Sequence, residues 1–403
     1  MLWLAHAAKI GRKKAEILLD YFKTAENVFS ANRYEISGII GLSAKDRPAL
    51  LAGEAEKEAA LDELKGLMAR LGIGFISRGE AGFPELLRGI PDCPLGLFYR
   101  GSLPENGGAG ALSVSIIGSR DCTDYGYNAA YRLSRDLAER GVTIVSGIAR
   151  GIDGMAHRGA LDGRGYTIAV AGTGLDVWYP KEHAGLFAEI PRAGGCVVSE
   201  YPPQTQYLKS NFPQRNRLIS GLSDGLIVVE AALRSGTSIT IDRAIDQGRT
   251  IFAVPGNIYS EVSSGTNRLI KDGAVMVTGY EDVLYEFYFN SVYDKKLINK
   301  DLLMPDKENN DRKPHTIDCD NKNMAAGESF DNEGPANPES ADISVLSEAE
   351  RAVYEKIGPG PAAADELMEK TGLPAHELLR ALTMLEIYGF IKARPGGRYE
   401  KSN

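Results

Sequence analysis

Residues 113–161 alternate in a way that few folds accommodate. Two short apolar β-type runs, residues 113–118 and 142–146, each break into a Gly-rich turn that opens a helical pattern. The helix between them places Ala129, Ala130, Leu133 and Leu137 on one face, the spacing of a helix laid on a sheet. Strand, crossover helix and strand form a βαβ unit. Its two turns, Gly118-Ser119-Arg120 and residues 147–153, are then expected side by side beyond the carboxyl ends of adjacent parallel strands. Both turns are expected to offer bare backbone N–H groups, and each supplies an arginine, Arg120 and Arg150. Backbone donors at a helix start, joined by guanidinium forks, suit an anion. The unit predicts a phosphate-binding crevice.

The same alternation continues. Strands are predicted over residues 113–118, 142–146, 167–172, 196–200, 226–230 and 251–255, with helical segments between them. They are Val/Ile-rich on both faces, as parallel strands covered by helices must be. The fold class is therefore α/β, a Rossmann-like doubly wound sheet in a domain of residues 76–292, with two short strands at 72–77 and 96–101 ahead of the regular alternation. Residues 1–75 read as helices, with short Gly turns at Lys9-Ile10-Gly11 and in SGIIGLSAKDRPALL. Such turns can touch a DNA backbone, but a plain helical bundle is the simpler reading. Residues 293–343 are predicted to be a disordered acidic linker, because residues 305–343 are polar, acidic and nearly free of aliphatic side chains. Residues 344–403 give three helices and a hairpin with a Gly-Gly turn, the pattern of a winged helix. The third of these helices has Arg380 against Glu377 and Glu386, so a protein contact or a structural role competes with DNA reading.

A formal charge of −8 argues against a nucleic-acid partner only if it is spread evenly. Residues 306–342 carry ten Asp/Glu and four Lys/Arg, a net of −6, which leaves about −2 elsewhere and room for a basic crevice. Cys93, Cys122, Cys196 and Cys319 are widely spaced, as free thiols of a reducing cytoplasm would be. The five His do not cluster, so no metal site is expected. No apolar run is long enough to span a membrane, and MLWLAHAAKIGRKK has the wrong order for a signal peptide.

The chemistry of the crevice narrows by elimination. A dinucleotide site needs GxGxxG at the first turn and an acidic residue ending the second strand; GSRDCTDYG and Val145-Ser146-Gly147 supply neither. No GxxxxGK[ST] occurs, so a nucleoside-triphosphate loop is not expected. Other loops at the same sheet edge contribute Gly172, Gly174 and Lys181, then Lys209, Phe212, Arg215, Asn216 and Arg217, then Arg234, Ser235 and Gly236 at a helix start. Cations and an amide around one aromatic ring are what single-strand binders use: charge for phosphates, a ring face for a base. Asp153 and His157 share a helix face. With no nucleophile or metal cluster beside them, Asp153 is expected to cap its helix, and His157 and Arg158 to orient the turn.

The ordered motifs GSRDCTDYG, SGIARGIDGMAHRGAL, GTGLDVWYPKEH, SEYPP, FPQRNRLISGL, VVEAALRSGTSIT, AVPGN and SGTNRLIKDGA resemble the bacterial DNA-processing protein A family (DprA, also called Smf) over residues 83–283. The resemblance implies a cytoplasmic, non-enzymatic protein without cofactor. It also implies an N-terminal helical domain of sterile-alpha-motif or helix-hairpin-helix type and a C-terminal winged helix. Such a protein would bind single-stranded DNA, form a homodimer and load a RecA-type recombinase onto DNA taken up in natural transformation, with a single-strand-binding protein as a further candidate partner. Carried over by position, Arg120, Lys209 and Phe212 contact DNA, with Arg215, Asn216 and Arg217 in the same pocket; Leu269 and Ile270 are candidates for the dimer or recombinase contact. Two other classes stay open. A phosphoribohydrolase would need a catalytic Glu where LRSGTSIT has Thr240, and a winged-helix regulator would need a more basic third helix.

Overall fold

The computed structural model describes residues 1–289 and 346–401, apart from 9, 44, 105–110, 359, 388–389 and 395–397. The expected linker, Ala44 within SGIIGLSAKDRPALL, Lys9 of the first Gly turn, and the Gly-Gly turn of the hairpin thus lie outside the described residues. The chain falls into two compact units, Met1–Ile298 and Asn299–Asn403.

The first unit opens with a short π-helix, Trp3–Ala7, followed by α1 (Arg12–Phe22), α2 (Ala25–Ser30), α3 (Arg33–Ser37), α4 (Arg47–Leu50) and α5 (Glu54–Leu71). Asn32 caps α3 in a full capping box with Glu35, and Gly72 ends α5 in the left-handed region that a side chain would resist. A core of Trp3, Leu4, Leu18, Val28, Ile36 and Leu50 holds these helices together. The π-helix is seated on the sheet: His6 lies 4.5 Å from the Phe98 ring and 5.7 Å from Phe75. Burial there pulls the His6 imidazole down to about 4 from its ordinary 6.5. The unfolded chain therefore binds the proton first, and His6 withdraws stability as pH falls from 6.5 towards about 4. In thermal melts, His6→Gln is expected to lose less Tm than the wild type across that window. An equal loss in both would place the acid sensitivity elsewhere, for example at buried His157, which is pulled down to about 3.

After α5 come β1 (Gly74–Ser77), α6 (Glu85–Arg88), β2 (Gly96–Gly101), β3 (Ser113–Ile117), α7 (Asp124–Ala138), β4 (Thr143–Ser146), α8 (Ile152–Asp162) and β5 (Thr167–Val170). The unit continues with α9 (Ala184–Arg192), β6 (Cys196–Ser199), α10 (Asn211–Gly221), β7 (Gly225–Val228), α11 (Thr237–Asp246), β8 (Thr250–Ala253), α12 (Glu261–Lys271), β9 (Val275–Met276) and α13 (Tyr280–Phe289). One sheet runs β1-β2-β6-β5-β4-β3-β7-β8-β9. The strands from β6 to β9 are parallel, and β1 and β2 add an antiparallel edge. Every predicted strand is present within one or two residues, and β3 and β4 are parallel neighbours as expected. The strand order adds what the βαβ reading lacked. The winding reverses between β3 and β7, so the crevice of this doubly wound sheet opens there. The sheet interior is largely apolar: Val114, Ile116, Ile144, Val145, Ala169, Leu226 and Ile227 are buried, alongside Ser115, Ser146, Thr167 and Ser199.

The second unit contains α14 (Glu348–Lys356), β10 (Ala362–Ala363), α15 (Ala364–Thr371), α16 (Ala375–Ile387), β11 (Ile391–Arg394) and β12 (Arg398–Lys401). Its sheet order is β10-β12-β11. Val353, Leu367, Leu382, Leu385 and Ile391 form its core, and Lys401 Nζ sits 4.4 Å over the Tyr354 ring. This is the three-helix, hairpin-winged module that the sequence predicts.

Candidate functional site

A cavity of about 440 Å³ opens at the β3/β7 switch, within the range of small-ligand pockets. The turn after β3 brings Gly118, Ser119 and Arg120; α10 brings Phe212, Arg215 and Asn216, with Lys209 just before it; the loop after β7 brings Ser235 and Gly236. Arg120 and Lys209 are exposed, and neither makes a hydrogen bond or ion pair among the described residues. Their charge is available to a ligand.

One wall is aromatic. Tyr179 and Tyr207 rings lie 4.3 Å apart, and Phe212 stands 5.5 Å from Tyr179 and 5.3 Å from Tyr207. Burial and the Tyr207 hydroxyl both push the Tyr179 phenol up, so it stays neutral. The sequence reading singled out Phe212 and missed the two tyrosines. Their signal was present, an aromatic beside a cation in WYPKEH and in YLK, but only folding brings the two loops together.

Several expected contributors have other positions. Arg215 lines the cavity but is 2% exposed; its guanidinium donates to the carbonyls of Gly147, at 2.5 Å, and Val170, with Phe212 stacked 5.6 Å away. Burial lowers its pKa to about 10, against the pull of the Asp153 carboxylate, so it stays charged at neutral pH. It organises the wall from beneath. Arg217 points elsewhere: it pairs with Glu200 at 2.7 Å and Asp92 at 3.2 Å and is not among the cavity-lining residues. Two residues apart on a helix means about 200° apart, so Arg215 and Arg217 cannot share a face. Arg150 and Lys181 are exposed but do not line the cavity. Gly174 is buried, donates its N–H to Thr205 at 2.9 Å, and leaves space that Pro202 fills; it shapes a loop.

The expectation of bare turn amides is also corrected. Ser119 N–H donates to the Glu230 carbonyl at 2.7 Å, Asp121 N–H to Ser119 Oγ at 3.2 Å and Ala149 N–H to Asp153 at 3.3 Å. These bonds tie parts of both turns down. Gly151 joins them, with φ +74° and a missing Cβ that would lie 2.4 Å from the Ser119 carbonyl. Asp153 does not cap α8, whose N-cap is Gly151; it is buried beside Arg215. His157 does not orient the turn. It is buried against β5, with Nδ1 2.8 Å from the Thr167 hydroxyl, and Arg158 pairs with Glu189 at 2.9 Å. Leu269 and Ile270 are half-buried on α12, Leu269 against the sheet core. No three metal-ligating side chains converge among the described residues, and among these no helix is long and apolar enough to cross a membrane. Cys93, Cys122 and Cys196 are free thiols.

Sheet, switch-point cavity, exposed cations and ring wall define a Rossmann-type α/β protein with a cationic, ring-lined crevice. Its sequence matches the DNA recombination-mediator protein A family over residues 74–288 and the DprA winged helix domain over residues 335–397. The chain belongs to the DNA recombination-mediator protein A (DprA/Smf) family. It is a DNA-processing recombination mediator, a non-catalytic protein. It is 37% identical to protein Smf of Escherichia coli over 316 residues, 78% of this chain and 74% of that one. It is 46% identical to the DNA processing protein DprA of Streptococcus pneumoniae over 207 residues, 51% of this chain and 72% of the relative. The X-ray structure of the Streptococcus pneumoniae protein superposes with a TM-score of 0.56 at 34% identity, covering 72% of this chain and 97% of that one.

Proposed function

We propose that the cavity at the β3/β7 switch is where single-stranded DNA binds, and that the protein, as a homodimer, loads a RecA-type recombinase onto the incoming strand in natural transformation. Phosphates lie on Arg120 and Lys209, with Ser235, Gly236 and the Asn216 amide as further polar contacts. Arg150 and Lys181 extend the basic mouth. A base stacks on the ring wall. The observation that carries this reading is the pairing of exposed, unpartnered cations with three rings within 5.5 Å of one another. Charge tracks a backbone, and a π-face accepts any unstacked base. The dimer and recombinase contacts rest on family resemblance, with Leu269 and Ile270 as candidates. A single-strand-binding protein is a further candidate partner.

The test is fluorescence anisotropy of a labelled oligonucleotide, single-stranded and duplex, across a salt series. Single-strand binding should exceed duplex binding and weaken with salt. Phe212→Ala should weaken single-strand binding by about 1–3 kcal/mol for each base that stacks, with the salt slope unchanged because no charge is lost. Duplex binding as tight as single-strand binding, or indifference to Phe212→Ala, would overturn the reading.

A further inference from the structure

In a Rossmann sheet the helix after the first crossover-forming strand ordinarily offers its N-terminus to a ligand's phosphate. Here that place is already filled from within. Glu230, 1% exposed at the end of β7, turns its carboxylate to the start of α7. Oε2 accepts from Thr123 N–H at 2.8 Å and Oε1 from the Thr123 hydroxyl at 2.6 Å. That hydroxyl in turn accepts from Gly126 N–H at 3.3 Å, completing the cap. Residue 126 must be small: a Cβ there would lie 2.4 Å from the carboxylate. The Glu230 carbonyl also takes the Ser119 N–H at 2.7 Å, so one residue tethers both ends of the turn that carries Arg120.

We propose that Glu230 is an internal anion that occupies the phosphate position at the start of α7, and thereby determines where the crevice accepts a ligand's phosphates. A negative charge at the helix start satisfies the amide and hydroxyl donors there, and it repels a second anion. Phosphates are confined to Arg120 and Lys209 at the rim, which suits a chain passing over the cavity and disfavours a dinucleotide lodged along α7. Glu230 is thus a specificity and positioning residue. The identity of the excluded ligand rests on the DNA reading above; the occupancy of the helix start does not.

Two variants separate these parts. Glu230→Ala empties the position, while Glu230→Gln keeps its shape without the charge: the amide oxygen still accepts from Thr123 N–H, and the NH2 group reverses the bond to the Thr123 hydroxyl. Melts are run in inorganic phosphate and in chloride at matched ionic strength. Glu230→Ala should melt below the wild type in chloride and recover in phosphate, because an anion bound only by the folded state raises Tm. Wild type and Glu230→Gln should show only the smaller gain that the rim cations Arg120 and Lys209 give. A phosphate response no larger in Glu230→Ala than in wild type, or failure of Glu230→Ala to fold in either salt, overturns the inference. In the anisotropy assay Glu230→Gln should bind single-stranded DNA about three-fold tighter or more, since a negative charge next to the crevice is gone; unchanged or weaker binding counts against exclusion. If the wild type binds no DNA at all, the DNA reading fails while the melts still decide the role of Glu230.

Discussion

Arg215→Met is expected to destabilise the first unit by about 3–5 kcal/mol, the cost of breaking a buried ionic arrangement by removing one partner. The side chain is 2% exposed and supplies donors to the Gly147 and Val170 carbonyls, which would be left unpaired in an apolar wall. It also faces Asp153, whose burial already pushes its carboxyl pKa up and which would lose its counter-charge. In the Asp153→Asn background the same change should therefore cost less, by about 1–3 kcal/mol of coupling. Urea melts of the four proteins in this cycle measure both quantities. The steric frame leaves little room for adjustment: a Cβ on Gly147 would lie 2.6 Å from Asp153 Oδ2 and 2.9 Å from the Arg215 guanidinium. A cost below about 1 kcal/mol, the size of an ordinary point substitution, would show that the guanidinium is not structural.

Arg120→Ala and Lys209→Ala should do the opposite: keep the fold and lose the ligand. Both residues are exposed and make no hydrogen bond or ion pair among the described residues, so each change should leave stability within about 0.5 kcal/mol. A charge-assisted contact to phosphate contributes about 1.5–3 kcal/mol, so each variant should bind single-stranded DNA roughly ten- to a hundred-fold more weakly. Each lost phosphate contact should also flatten the plot of log affinity against log salt by about 0.7 on single strands. Anisotropy titrations at several salt concentrations, beside thermal melts, read both effects. Weakened binding with an unchanged salt slope would mean that the cations act on something other than phosphate. Unchanged binding would move the DNA off this crevice.

Helices, strands and Gly-rich turns depend on spacing within a few residues, and the chain states that spacing openly. Ala130, Leu133 and Leu137 announce the buried face of α7, and the Val/Ile runs announce strands covered on both sides. The exposed cations of the crevice were legible for the same reason: Lys209 and Arg120 lie in short polar turns. By itself, then, the sequence determined the α/β class, the winged module, and the family through its ordered motifs. Only the tertiary structure decided which residues meet. Strand order placed β7 beside β3, so residues more than a hundred positions apart along the chain share one crevice, and Glu230 reaches the start of α7. It also separated look-alike cations: within the RNR motif, one helix face turns Arg215 under the cavity wall and another turns Arg217 to Glu200 and Asp92. The ring wall joins Tyr179, from the loop after β5, to Tyr207 and Phe212, from the loop before α10 and its first turn. The physical reason is that a charge or a ring acquires its role from its dielectric surroundings and its partners. Those are set by long-range packing, which local periodicity does not encode.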